Sequence, residues 1–121
     1  MLDAGALIAI ARGDRDTVAV IEAARLDHRS VVVPAGVVAQ SWRDGSRQAL
    51  LARFLSASDV EVEVMTDELA RAIGRLCGAT QTSDILDASV VIAARAHNAT
   101  ILSSDRGDLA RLDQTLAIVD C

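Results

Sequence analysis

The chain has 121 residues, 51% hydrophobic and 24% charged, the size and composition of one globular domain with its own core, so a single domain spanning 1–121 is expected. No apolar run approaches the roughly 18 residues a membrane span needs, and no basic-then-apolar leader opens the chain, so the cytoplasm is the expected compartment. The net charge of -5, with twelve arginines and no lysine, excludes a protein that holds nucleic acid by bulk electrostatics. A polyanionic partner would require bound divalent cations or a local arginine patch. Cys77 and Cys121 are too few and too isolated for a disulfide framework or a zinc site and read as two free thiols.

In chain order, Asp3 is followed by an apolar stretch, Ala4 to Arg12, that reads as a short helix closed by Gly13. Little room is left ahead of it for a strand of the usual five to six or so residues, so the native chain is expected to begin a few residues upstream. A second helix is predicted from about Arg15 to Leu26, capped by Asp14 or Asp16, and a buried strand over 30–33. Pro34 suits the first turn of a helix running to about Arg43, stopped by Asp44 and Gly45. Ser46 is the expected cap of the next helix, with Leu50, Leu51, Phe54 and Leu55 on one side. Strict alternation over 60–64 predicts a strand near a sheet edge with one wet face. Thr66 is expected to cap a helix whose first turn holds Asp67 and Glu68 and which ends near Cys77 and Gly78. Ser83 is read as opening a helix to His97, followed by a strand over 100–103, a short helical piece around Leu109 to Leu112 capped by Asp108, and a closing strand over 116–119.

Apolar strands separated by helices imply a doubly wound α/β fold, three layers with a central parallel sheet. In such sheets ligands bind beyond the carboxyl ends of the strands, where strand order reverses. If the first strand is central and the 100–103 strand lies beside it, Asp3 and Asp105 face each other there, with Asp84 and Asp87 brought over the gap. Carboxylates so clustered repel unless a cation is shared. Each acid also has a plainer reading: Asp3 and Asp105 as helix caps, Asp84 as a partner of its helix dipole. Asp87 is harder to explain that way, since it lies a turn inside the helix where the apolar face begins.

Other chemistries lack their residues. There is no GxGxxG after a strand, no GxxxxGK[ST] and no GxSxG turn, and a phosphoacceptor domain would need a late lysine. His28 and His97 fall at predicted helix ends and read as solvated surface.

Four stretches, LDAGALIA at 2–9, VPAGVVAQ at 33–40, DILDASVVIAA at 84–94 and ILSSD at 101–105, together resemble the PIN domain, particularly the VapC-type ribonuclease toxins. The resemblance spans essentially the whole chain. It implies a nuclease fold whose acids bind Mg²⁺ or Mn²⁺ and cleave single-stranded or structured RNA to 5'-phosphate and 3'-hydroxyl ends. It also implies a homodimer held inactive by a cognate VapB-type antitoxin. Matched by position, Asp3 takes the first acid, Asp87 the acid of the late helix and Asp105 the acid after the fourth strand. The position usually held by glutamate is Gln40, which offers an amide oxygen without charge. Asp84 is the expected replacement and Asp44 a weaker one. The expected catalytic and metal set is therefore Asp3, Asp84, Asp87 and Asp105, with Gln40 as an outer or weak ligand. The alternative is a catalytically impaired module that binds RNA or protein. Arg12, Arg43 and Arg47 are candidates to steer phosphates, or are solvated helix ends. Trp42 is expected to pack in a core or interface rather than stack on a base. The apolar helices over 5–27 suit a dimer or antitoxin groove and equally suit burial within the monomer.

Overall fold

A computed structural model describes Met1–Cys121, with helices α1 (Ala4–Ala11), α2 (Arg15–Leu26), α3 (Ala35–Ser41), α4 (Ala49–Leu55), α5 (Asp67–Thr80), α6 (Ile85–His97) and α7 (Arg106–Leu112). The strands are β1 (Val31–Pro34), β2 (Val60–Glu63), β3 (Ile101–Ser103) and β4 (Ile118–Asp120). β1 pairs with β2 and β3 with β4, both in parallel. Met1–Asp3 joins the two pairs: Leu2 N–H donates to Val32 O at 3.0 Å, Leu102 N–H to Met1 O at 2.8 Å and Asp3 N–H to Leu102 O at 3.3 Å. The order is thus β2, β1, Met1–Asp3, β3, β4, and it reverses between Met1–Asp3 and β3.

Every residue of β1 and β3 is buried, which requires helices over both faces of the sheet. α1 packs with α2, α3 and α4, while α5, α6 and α7 pack with one another, giving the three-layer α/β/α architecture. The core runs through Leu7, Val33, Val37, Leu51, Val91, Ile101 and Leu109. β2 is an edge strand, and its alternating valines and glutamates leave Val62 39% exposed. No helix is long and apolar enough to cross a membrane. Cys77 and Cys121 are unpaired.

Several boundaries differ from expectation. Pro34 ends β1 and stands before α3 in extended conformation, so α3 begins at Ala35 and stops at Ser41. Ser46 caps nothing; its N–H and hydroxyl both donate to Asp44 Oδ1, and α4 starts three residues later behind Gln48. α5 continues to Thr80, where Gln81 takes the left-handed conformation that ends it. Asp84, not Ser83, caps α6, its side chain accepting Asp87 N–H at 3.0 Å. Asp105 stands at the cap of α7, so Asp108 lies inside the first turn instead of starting the helix. His97 is not simply solvated, since its Nε2 meets the Glu63 carboxylate.

Candidate active site

At the carboxyl ends of the strands, beside the order reversal, is a hollow of about 270 Å³. Asp3, Asp84, Asp87, Asp105 and Gln40 line it together with Ile8, Val37, Leu86, Val90, Gly5 and Ser104. Three elements supply the four acids: the end of Met1–Asp3, the cap and first turn of α6, and the exit of β3.

Asp3 is only 5% exposed. Such a carboxylate is tolerable because its oxygens are engaged: Oδ1 accepts Ala6 N–H at 2.9 Å, capping α1, and Oδ2 accepts the Ser103 hydroxyl. Ser103, fully buried, also accepts Asp105 N–H on its Oγ at 2.8 Å. One hydroxyl therefore ties the first acid to the backbone of the last. In the sequence Ser103 is marked only as a polar residue closing an otherwise apolar strand. Gly5 allows this closeness. A Cβ there would lie 1.9 Å from Ser104 Oγ, so only glycine lets α1 rest against the exit of β3.

Asp87, half-buried at the third position of α6, is the most perturbed acid of the set. Burial, then the Asp84 carboxylate, then Asp105 and Asp108 push it up to about 7. Asp105 is also raised, by desolvation, then Asp108, then Asp3. Asp84, on its plainer reading expected only to favour the α6 dipole, caps that helix in place of Ser83, and its position in the wall brings its charge onto Asp87 as well. Both hold because one oxygen caps and the carboxylate still faces the cavity.

The remaining candidates lie elsewhere. Asp44 is absent from the lining; its carboxylate closes a turn through Ser46, whose hydroxyl and N–H hold it below the usual range. Arg12, Arg43 and Arg47 are exposed and also outside the lining. Arg43 Nη1 donates to Ala39 O and Trp42 O at the end of α3, and Arg47 stands 3.9 Å from Asp44. Trp42 is not a core residue, being 37% exposed. A larger hollow of about 680 Å³ lies at the opposite ends of the strands, lined mainly by apolar residues such as Val20, Ala24, Val32 and Ile101. It is roomier, but it gathers no carboxylate set.

The donors fit a divalent cation. Burial and then the repulsion of Asp84, Asp105 and Asp108 raise Asp87, and a cation among them would relieve the repulsive part. No three His, Cys, Asp or Glu side chains form a ready cage for one ion.

A sequence model of the PIN domain family matches residues 1–114, and the chain belongs to that family. PIN domains are typically metal-dependent nucleases, which places this chain among nuclease- and RNA-related proteins. No curated protein matches the chain.

Proposed function

We propose that the chain is a divalent-metal-dependent endoribonuclease, the toxin of a VapBC-type pair, with Mg²⁺ or Mn²⁺ held by Asp3, Asp84, Asp87 and Asp105. Its catalytic unit is the single domain 1–121, working as a homodimer under the control of a VapB-type antitoxin. The observation that supports the catalytic reading is the convergence of four aspartates and Gln40 on one hollow, with Asp87 pushed to about 7 by burial and then by its acidic neighbours.

When bound, such an ion neutralises the phosphate and makes water a usable nucleophile near neutral pH. The chain does the rest. Asp87 and Asp105, both lining the hollow, would offer oxygens to the cation. Asp3 is oriented by Ala6 and Ser103, and Asp84 adds charge from the α6 cap. Ile8, Val37, Leu86 and Val90 form the apolar part of its wall. Gln40 contributes an oxygen and no charge, which favours a second reading: a module that binds RNA or protein and turns it over slowly or not at all.

Incubation of purified protein with single-stranded RNA and Mn²⁺, with and without chelator, separates the two readings. Cleavage should stop with chelator and fall in Asp87→Asn by more than the roughly 10–100-fold that loss of a ligand's hydrogen-bonded support costs. Gln40→Glu should tighten Mn²⁺ binding. RNA left intact by the wild type but cut by Gln40→Glu would favour the impaired module; full activity in Asp87→Asn would remove Asp87 from the mechanism.

A further inference from the structure

We propose that the larger hollow, at the amino ends of the strands, is a strand slot: an extended apolar segment running on from Met1 fills it, lying between β1 and β3 in the register that Met1–Asp3 already sets. The inference stands apart from the ribonuclease reading. Met1–Asp3 is the middle member of the sheet, yet it bridges its neighbours with three residues, where strands usually run to about five or six. The flanking chains reach further back. Ser30 and Val31 on one side, and Thr100 and Ile101 on the other, line the hollow.

The backbone groups there point to a strand. In extended chain the N–H and C=O of one residue face the same neighbour and those of the next residue face the other. Val31 N–H donates to Asp59 O, toward β2, while Val32 O accepts Leu2 N–H from the opposite side. The Val32 N–H therefore also faces away from β2, toward the hollow that Val32 lines, and Val32 is only 4% exposed. Thr100 gives the matching signal. Its O accepts from the Met1 amino group at 3.0 Å, and its own N–H meets no protein acceptor. A residue joined ahead of Met1 would present its C=O to Val32 N–H, and the residue before that its C=O to Thr100 N–H. Backbone donors in such places are almost always paired, so two of them aimed into one hollow in strand register call for a strand.

The walls fit apolar side chains on that strand. The hollow has about 680 Å³, and Val20 and Ala24 of α2 and Val119 of β4 also line it. Val20 is 40% and Val119 41% exposed, surface that an added strand would cover. The Met1 amino group supports the same occupant. Burial, then the Arg29 charge, push it down to about 6, a penalty that a peptide amide in its place would not carry. Because the strand so lengthened ends in Asp3, a filled slot also anchors the first acid of the smaller hollow.

Three forms of the protein test this: residues 1–121, and the same chain extended ahead of Met1 by Met-Ile-Val or by Met-Asp-Asp. The Ile-Val form should melt about 5 °C higher, and hydrogen exchange at the Val32 and Thr100 amides should slow by about tenfold. The Asp-Asp form offers the same carbonyls on side chains too costly to bury, and should do neither. Protein isolated from its own cells should have an intact mass above that of residues 1–121. Unchanged exchange at both amides in the Ile-Val form overturns the proposal, as does a native mass that starts at Met1. Protection of these amides that rises with the concentration of residues 1–121 would give the slot to a second copy of the chain, and overturns it too.

Discussion

The Ser103 hydroxyl donates to Asp3 and accepts from the backbone of Asp105, so a single buried oxygen sets the spacing of two acids from distant parts of the chain. Ser103→Ala would leave the 5%-exposed Asp3 short of one hydrogen bond, a loss of about 1–3 kcal/mol in unfolding free energy. RNA cleavage should fall by about 10–100-fold, the scale of losing a support behind a ligand, with Ser103→Thr largely restoring it. Denaturant unfolding and initial cleavage rates check both effects; wild-type rates in the alanine variant would make Ser103 merely structural. At this scale the sequence was informative about which residue types gather and less so about how they are held. Asp87 stood out because a carboxylate at the start of an apolar helix face needs a reason. Ser103 did not, because a serine at a strand end is ordinary until its two partners are known.

Among the elements, α6 and the segment after α7 are joined by Arg95 Nε donating to Asp113 Oδ2 at 2.8 Å. The Thr115 hydroxyl, then Arg95, then Thr115 N–H hold the Asp113 carboxyl down at about 2, against an ordinary 3.8. Because the folded value is depressed, this contribution is fully present above about pH 4 and fades as the pH falls toward 2. Asp113→Asn should therefore lower the thermal midpoint at pH 7, with the difference from wild type shrinking between about pH 4 and 2; a constant difference across that window would contradict the assignment. Element identity was legible from periodicity, and α2 spans the expected Arg15–Leu26. Cap assignment was not. Ser46 and Ser83 both have the right chemistry, but the turn at Asp44 claims the first, and Asp84 reaches the Asp87 N–H in place of the second.

Across the whole molecule, the acids form an electrostatic load on the fold. Asp87 titrates at about 7 in place of 3.8, so the folded protein binds more protons than the unfolded chain over that interval. Without divalent ions, stability should decline as the pH rises from about 4 to about 7 and level off above it. Asp87→Asn should flatten that decline. Mn²⁺ or Mg²⁺ at a hundredfold excess over its Kd should stabilise the wild type at pH 8 by about 2.7 kcal/mol. Thermal melts from pH 4 to 8, in chelator and in metal, test this; a flat wild-type profile coinciding with the variant's would refute the coupling.

Local pattern determined by itself the alternation of helices and strands, the α/β class, the absence of phosphate-binding loops, and the acids worth attention, since propensity, periodicity and burial cost act over a few neighbouring residues. Only the tertiary structure decided that Met1–Asp3 pairs between β1 and β3, that Ser103 joins Asp3 to Asp105, and that Gln40 lines the hollow while Asp44 does not. Those outcomes depend on contacts between residues up to about a hundred positions apart, and side-chain direction at such contacts is set by packing across the sheet rather than by neighbours in the chain.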